Sequence, residues 1–181
     1  LFPICKYIRP GQKIAEIGCG MGRFFKHYFY AGYEIVGIDY NIEAVKRLKT
    51  ENSNFDVREG NVVTLDLPDN TFDVITAFGT LGNLNDYDEM KRGFDELVRI
   101  TRPGGLICAS FNPDHFGASL LDLVRRAGSI FAKNRQFILA YKKEEIFSMA
   151  STFPVLPIER VPIFSKLTFN EFTLFRWPHA R

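Results

Sequence analysis

Three glycines alternate at Gly18, Gly20 and Gly22 in the run AEIGCGMGRF, directly after a short apolar stretch. Glycine costs roughly 0.5–1 kcal/mol relative to alanine inside regular structure. This density therefore marks a turn that a ligand or another backbone approaches closely. A turn of this kind after a strand, with a helix behind it offering free N–H groups to a negative group, is a ligand site in open α/β sheets. A second apolar run, EIVGID, ends at Asp39. A carboxylate there can accept both hydroxyl hydrogens of a ribose. The two features together point to a nucleoside-containing cofactor. Three details favour S-adenosylmethionine over a dinucleotide. The glycine spacing is GxGxG and not GxGxxG. Glu16 stands two residues before the first glycine, where it could neutralise an ammonium group. The end of the chain lacks the second βαβαβ half that a dinucleotide requires.

A series of strands and helices must hold these residues. Lys13–Ile17 reads as a buried strand running into the glycine turn, and residues 22–31 follow with helical content, although FFKHYFY is unusually aromatic for a helix. Glu34–Asp39 is a second strand, and Asn41 can cap the helix carrying Ala44, Val45 and Leu48. A third strand is expected at Phe55–Glu59. A fourth is expected at Phe72–Phe78, entered through a turn at Pro68, Asp69 and Asn70. Asp86–Ile100 has helical spacing and stops at RPGG; Leu106–Phe111 is a fifth strand. The alternation predicts an α/β fold, a Rossmann-like doubly wound and mostly parallel sheet with right-handed crossovers. Beyond it come a looser amphipathic segment over 114–140, a helix over 142–152, and strand-like runs near 155–164 and 170–177. The last two suggest an antiparallel C-terminal hairpin at the sheet edge.

The chain's 181 residues fit one domain, 1–181, with a cofactor-binding half over 11–111 and a substrate-side insert at about 114–140. Hydrophobic residues make up 46% and charged residues 24%, ordinary for a globular protein, and the net charge of +2 gives no argument for nucleic acid without barring it. No run approaches the ~20 apolar residues of a membrane span. Cys5, Cys19 and Cys108 are too scattered for a disulfide framework or a zinc site, so a reducing, cytoplasmic setting is expected. The chain opens at Leu1 without a methionine, as a fragment or a trimmed chain would.

IAEIGCGMG resembles the first motif of the class I S-adenosylmethionine-dependent methyltransferases, and VGIDYN their second. REGNVVTLDLPDNTFDVITAF is similar to their third- and fourth-strand stretch, and ELVRITRPGGLICAS to the approach to the fifth strand. The resemblance covers residues 11 to about 111 in the right order. It implies a seven-stranded sheet closed by the hairpin. It also implies S-adenosylmethionine as cofactor and S-adenosylhomocysteine as product; no clustered Asp/Asn ligands stand out after the fourth and fifth strands, so no metal is expected. By the same resemblance Glu16, Gly18, Cys19, Gly20 and Gly22 wrap the methionine part, Asp39 binds the ribose and Tyr40 lies beside the adenine. Asn61 and Val62 take the adenine edge, where Asn61 replaces the family's usual acid. Phe78 and Gly79 lie under the sulfonium. The family usually sets a helix before the first strand as a lid. Only about a dozen residues precede Lys13, so that lid is expected to be incomplete or missing from this chain.

Methyl transfer from a sulfonium is an in-line displacement, and the protein mainly positions the acceptor and excludes water. A general base is optional. His115, after the fifth strand, and Tyr141 are the candidates, the plainer reading of each being a structural hydrogen bond. His27 reads as packing and Cys19 as a small residue in a tight loop. In segment 116–140 an apolar stripe (Leu120, Leu121, Val124) could cap an apolar acceptor. Arg125, Arg126, Lys133 and Arg135 could hold an anionic one, or simply face water. AFGTLGNL lacks the acid/Asn-Pro-Pro-aromatic run of DNA amine methylation. The acceptor is expected to be a small molecule. The alternatives are an RNA or protein acceptor, or a non-catalytic module that binds the cofactor; a nicotinamide oxidoreductase fits least.

Overall fold

Runs of apolar residues flanked by turn formers become five parallel strands in the computed structural model, which describes residues 7–111, 156–165 and 168–176. They are β1 (Lys13–Ile17), β2 (Glu34–Asp39), β3 (Val57–Glu59), β4 (Phe72–Ala77) and β5 (Thr101–Phe111). Their order is β3-β2-β1-β4-β5, with β1 paired in parallel to both β2 and β4. Strand order therefore reverses between β1 and β4, and in open α/β sheets the crevice beyond that reversal is where ligands bind. Beyond β5, the backbone of Thr168–Arg176 (β7) runs antiparallel to β5 and to Leu156–Ser165 (β6).

Burial on both faces makes the inner strands near-continuous apolar runs. One face, with Ala15, Ile17, Ile75, Ala77 and Ile107, packs on Met90, Phe94 and Leu97 of helix α3 (Tyr87–Ile100). The other, with Ile14, Val74, Leu106 and Cys108, packs on Phe25 and Tyr28 of α1 (Phe25–Tyr30) and on Val45 and Leu48 of α2 (Ile42–Glu51). Each fully buried side chain of this size contributes roughly 1.5–3 kcal/mol. Asn41 caps α2 by accepting the Glu43 and Ala44 N–H groups, as its type predicts. Asp86 caps α3 by accepting the Glu89 N–H at 2.7 Å.

Several boundaries differ from the sequence reading, three of them for a physical reason. The helix after the glycine turn has six residues, beginning at Phe25. Its aromatic side chains are weak helix formers, and they are held instead by a ring cluster in which Phe25 and Phe29 meet Phe55 at 5.3 and 4.8 Å. Phe55 serves that cluster, so β3 starts at Val57. The RPGG stretch lies inside β5: the pairing with β4 jumps from Phe72↔Thr101 to Val74↔Leu106, and Gly104, at φ 83°, absorbs the excursion. The expected segments over 114–140 and 142–152 lie outside the described residues.

Candidate functional site

The glycine turn at the end of β1 is built largely by its own protein neighbours. All three glycines have positive φ, at 77°, 51° and 75°. A Cβ on Gly18 would sit 2.0 Å from Thr80 Oγ1, and one on Gly22 would sit 2.7 Å from Leu48 Cδ2. Close approach is therefore real at both positions, and the approaching groups are side chains of this chain. Gly20 differs. A Cβ there would meet only Asp39 Oδ2, at 4.0 Å, which leaves open space above the turn.

The backbone donors of the turn are equally committed. Gly18 and Cys19 N–H groups donate to Ile38 O (2.7 and 3.0 Å), Gly20 N–H to Asp39 Oδ2 (2.6 Å) and Gly22 N–H to Cys19 O (2.8 Å). The helix starts three residues past Gly22. These four N–H groups are therefore not free for a ligand; the N–H groups at the start of the helix, which the sequence reading assigned to a negative group, are a separate set.

Asp39 is 7% exposed and anchors the turn from β2. Its Oδ1 accepts the Asn41 N–H at 2.8 Å while Oδ2 accepts Gly20. A carboxylate has about four acceptor positions, so roughly two remain for a ligand's hydroxyls.

A cavity of about 410 Å³ opens at the strand reversal, within the size range of small-molecule sites. Asp39 and Tyr40 line it from β2, Gly60 to Val63 from the loop after β3, and Ile17 with Gly18 from β1. Gly79, Thr80, Asn83, Leu84, Asn85 and Glu89 complete it from the stretch after β4. The structure thus brings together Gly18, Asp39, Tyr40, Asn61, Val62 and Gly79 of the expected residues. Tyr40 is 77% exposed, its ring free at the mouth. Asn61 uses Oδ1 to accept the Val63 N–H at 3.1 Å, which fixes the loop.

Five expected residues do not line the cavity. Cys19 is buried, and burial with the Glu16 and Asp39 carboxyls nearby pushes its thiol up to about 12, so it is a neutral small side chain. Gly20 and Gly22 shape the turn. Phe78 packs edge-on against Phe24, ring centres 4.7 Å apart, on the α1 side of the sheet. Glu16 also faces that side. It is 2% exposed, and its Oε2 and the hydroxyl of Thr76, directly across on β4, are buried without a hydrogen-bond partner. Burial, and secondarily Asp39, pushes the Glu16 carboxyl from 4.5 up to about 8. His115, Tyr141 and the charged and apolar residues of 116–140 lie outside the described residues.

Thr80, Asn83 and Glu89 were missed from the sequence. A threonine in GTLGNL carries no periodicity, and its contact with Ile17 is 63 positions away. In NLNDYDE the start of a helix at Asp86 was legible; that the stretch also borders the cavity was not.

Residues 15–109, more than half of the chain, match the model of the family described as Methyltransferase domain. The demethylmenaquinone methyltransferase of Renibacterium salmoninarum is 33% identical over 109 residues, covering 60% of this chain and 45% of that protein. The chain spans less than half the length of the curated relatives it matches. Among solved structures, an S-adenosylmethionine-dependent methyltransferase from Methanosarcina mazei superposes with a TM-score of 0.86 at 17% identity, over 99% of both chains. Magnesium protoporphyrin IX methyltransferase from Synechocystis, solved with S-adenosylhomocysteine, gives 0.75 at 14% identity, over 98% of this chain and 78% of that one. At these identities the structural likeness is one of fold. Taken with the family match, it shows that the chain belongs to the class I S-adenosylmethionine-dependent methyltransferases.

Proposed function

We propose that the protein transfers a methyl group from S-adenosylmethionine to a small-molecule acceptor. The observation that carries this reading is the cavity at the β1/β4 reversal, with Asp39 at one end and the Gly79–Thr80 turn at the other. The residues present fit the cofactor. Asp39 keeps acceptor positions for ribose hydroxyls, Tyr40 offers an exposed ring for the adenine, and Asn61 with Val62 bounds the adenine edge. Gly20 and Gly79 leave room for the methionine end, Gly18 lines the cavity against Thr80, and Cys19, Gly22 and Phe78 shape the surroundings of the turn. Glu16 supplies a carboxyl oxygen beneath the turn that is committed to nothing else. The bound cofactor supplies a methyl group on a positively charged sulfur, open to in-line attack; the protein's task is to orient the acceptor and exclude water.

The small-molecule acceptor is supported by the relatives named for demethylmenaquinone and by the absence of a charge excess. The same proposal includes one domain over the chain, a sheet of seven strands and an antiparallel edge that walls the acceptor side. The register of β6 and β7 supports it. His115 and Tyr141 are its candidate bases. Among the described residues no helix is long and apolar enough to cross a membrane.

A thermal-shift titration with S-adenosylmethionine, S-adenosylhomocysteine and NAD tests the cofactor. At 100 times its dissociation constant a ligand adds roughly 2.7 kcal/mol to stability. Both sulfur ligands should raise the midpoint and NAD should not. In Asp39→Ala the affinity for S-adenosylhomocysteine should fall by roughly 1–3 kcal/mol. Stabilisation by NAD alone would overturn the reading.

A further inference from the structure

The β1/β4 reversal is a gap between two turns that a sheet of this order leaves open; here Thr80 bridges it, and Ser110 and Asn83 hold the turn after β4 on its other sides. Thr80 Oγ1–H donates to Ile17 O at 2.8 Å, tying the turn after β4 to the last residue of β1. Ser110, buried near the end of β5, accepts the Gly79 N–H on its Oγ at 2.7 Å. Asn83 Nδ2 donates to Gly79 O from the short 3-10 turn Leu81–Asn83. Gly79 and Thr80 are therefore held from β1, from β5 and from the turn that follows them. Ile17, Gly18, Gly79, Thr80 and Asn83 all line the cavity, whereas Ser110 does not and acts through Gly79.

The contact with the glycine turn is tight. A Cβ on Gly18 would meet Thr80 Oγ1 at 2.0 Å, Cβ at 3.0 Å and Cγ2 at 3.1 Å, so no rotamer of Thr80 would make room. Gly18 is thus shaped by Thr80 as much as by a ligand. The pair sets how far the two turns stand apart.

We propose that Thr80 and Ser110 are positioning residues that fix the spacing of the β1 and β4 turns, and so the grip on the methionine end of the cofactor. The inference rests on the cofactor reading above. It makes a distinction that general stabilisation of the fold would not. The adenosine end is bounded by Asp39, Tyr40, Asn61 and Val62, none of which the bridge touches. Loss of the bridge should therefore weaken S-adenosylhomocysteine while leaving adenosine alone unaffected.

Calorimetric titration of both ligands into the full chain separates these outcomes. Thr80→Val keeps the shape of the side chain, removes the donor and leaves Ile17 O without it. Loss of such a bond changes an equilibrium by about tenfold. The dissociation constant for S-adenosylhomocysteine should rise by about that factor, with the adenosine constant within about twofold of wild type. Thr80→Ser, which keeps the hydroxyl, should restore binding to within about threefold. Ser110→Ala should repeat the Thr80→Val pattern more weakly, and it carries the test if Thr80→Val does not fold. Equal weakening of both ligands, unchanged binding in Thr80→Val and Ser110→Ala, or a Thr80→Ser no better than Thr80→Val would each overturn the proposal. Wild-type protein that binds neither ligand overturns the cofactor reading, and this proposal with it.

Discussion

A carboxyl group sealed beneath a turn with one oxygen unbonded is unstable as an anion, and Glu16 is in that position. Burial disfavours its charged form, and the nearby Asp39 carboxyl adds repulsion, so its pKa rises to about 8. The groups around it offer no compensating cation among the described residues: Asp39 comes from β2, Thr76 from β4, Cys19 from the turn, and α1 brings Phe25 and Tyr28 to that face. Between pH 4.5 and about 8 the folded chain holds a proton that the unfolded chain has lost. Stability therefore falls as pH rises through this window and levels off above it. Glu16→Gln removes the titration and should flatten the profile by an amount on the order of a few kcal/mol. Urea melts from pH 5 to 9 on both proteins check this; parallel profiles would show that Glu16 is ionised in the folded state.

At the scale of elements, the loop after β3 depends on one side chain of α3. Arg99 donates to Glu96 through Nε and Nη2 (2.7 and 2.8 Å), to Leu67 O and Asp69 through Nη1, and to Leu65 O through Nη2. Glu96 in turn accepts the Leu65 N–H at 2.7 Å, and the Arg99 bonds hold its carboxyl below the usual range. This clamp secures the distal end of the loop that bears Asn61 and Val62. Arg99→Ala should lower stability by roughly 2–3 kcal/mol in chemical denaturation, and Arg99→Lys should recover little because an ammonium cannot fork to two carbonyls. Lys46→Ala, which removes the exposed i,i+3 pair with Glu43, should shift it by less than ~0.5 kcal/mol. Equal effects from both would mean that the Arg99 network is no stronger than a surface pair. The strands, the cap at Asn41 and the carboxylate at Asp39 were legible in the sequence because each rests on a local rule: apolar runs, turn chemistry, a short polar side chain before a helix. What was not legible depends on contacts between distant positions. Nothing near Arg99 announces Leu65, and nothing near Thr80 announces Gly18. The continuation of β5 through RPGG was hidden for a related reason, since a bulge is defined by its partner strand.

For the whole molecule, the order of strands sets both where the site lies and what unfolds last. β1 and β4 are central, with Ile14, Ala15, Val74, Ile75 and Ala77 at 0% exposure, whereas β3 closes one edge with Arg58 and Glu59 exposed. Amides of β1 and β4 should exchange only through global opening, and those of β3 first among the five parallel strands, in a mass-spectrometric hydrogen-exchange series. Equal protection of β3 and β4 would contradict this hierarchy. The two central strands end at the two turns that frame the cavity, so the candidate site is built on the most persistent part of the fold and its outer wall on a weaker edge. One consequence concerns competition. Because the glycine turn directs the Gly18, Cys19, Gly20 and Gly22 N–H groups into its own framework, those four amides offer nothing to a phosphorylated adenosine, whose charge would come close to Asp39. The turn thus discriminates by withholding contacts. Nucleoside phosphates sharing the same adenosine would be poor competitors, and occupancy would follow the sulfur-bearing ligands even where nucleotides are far more abundant.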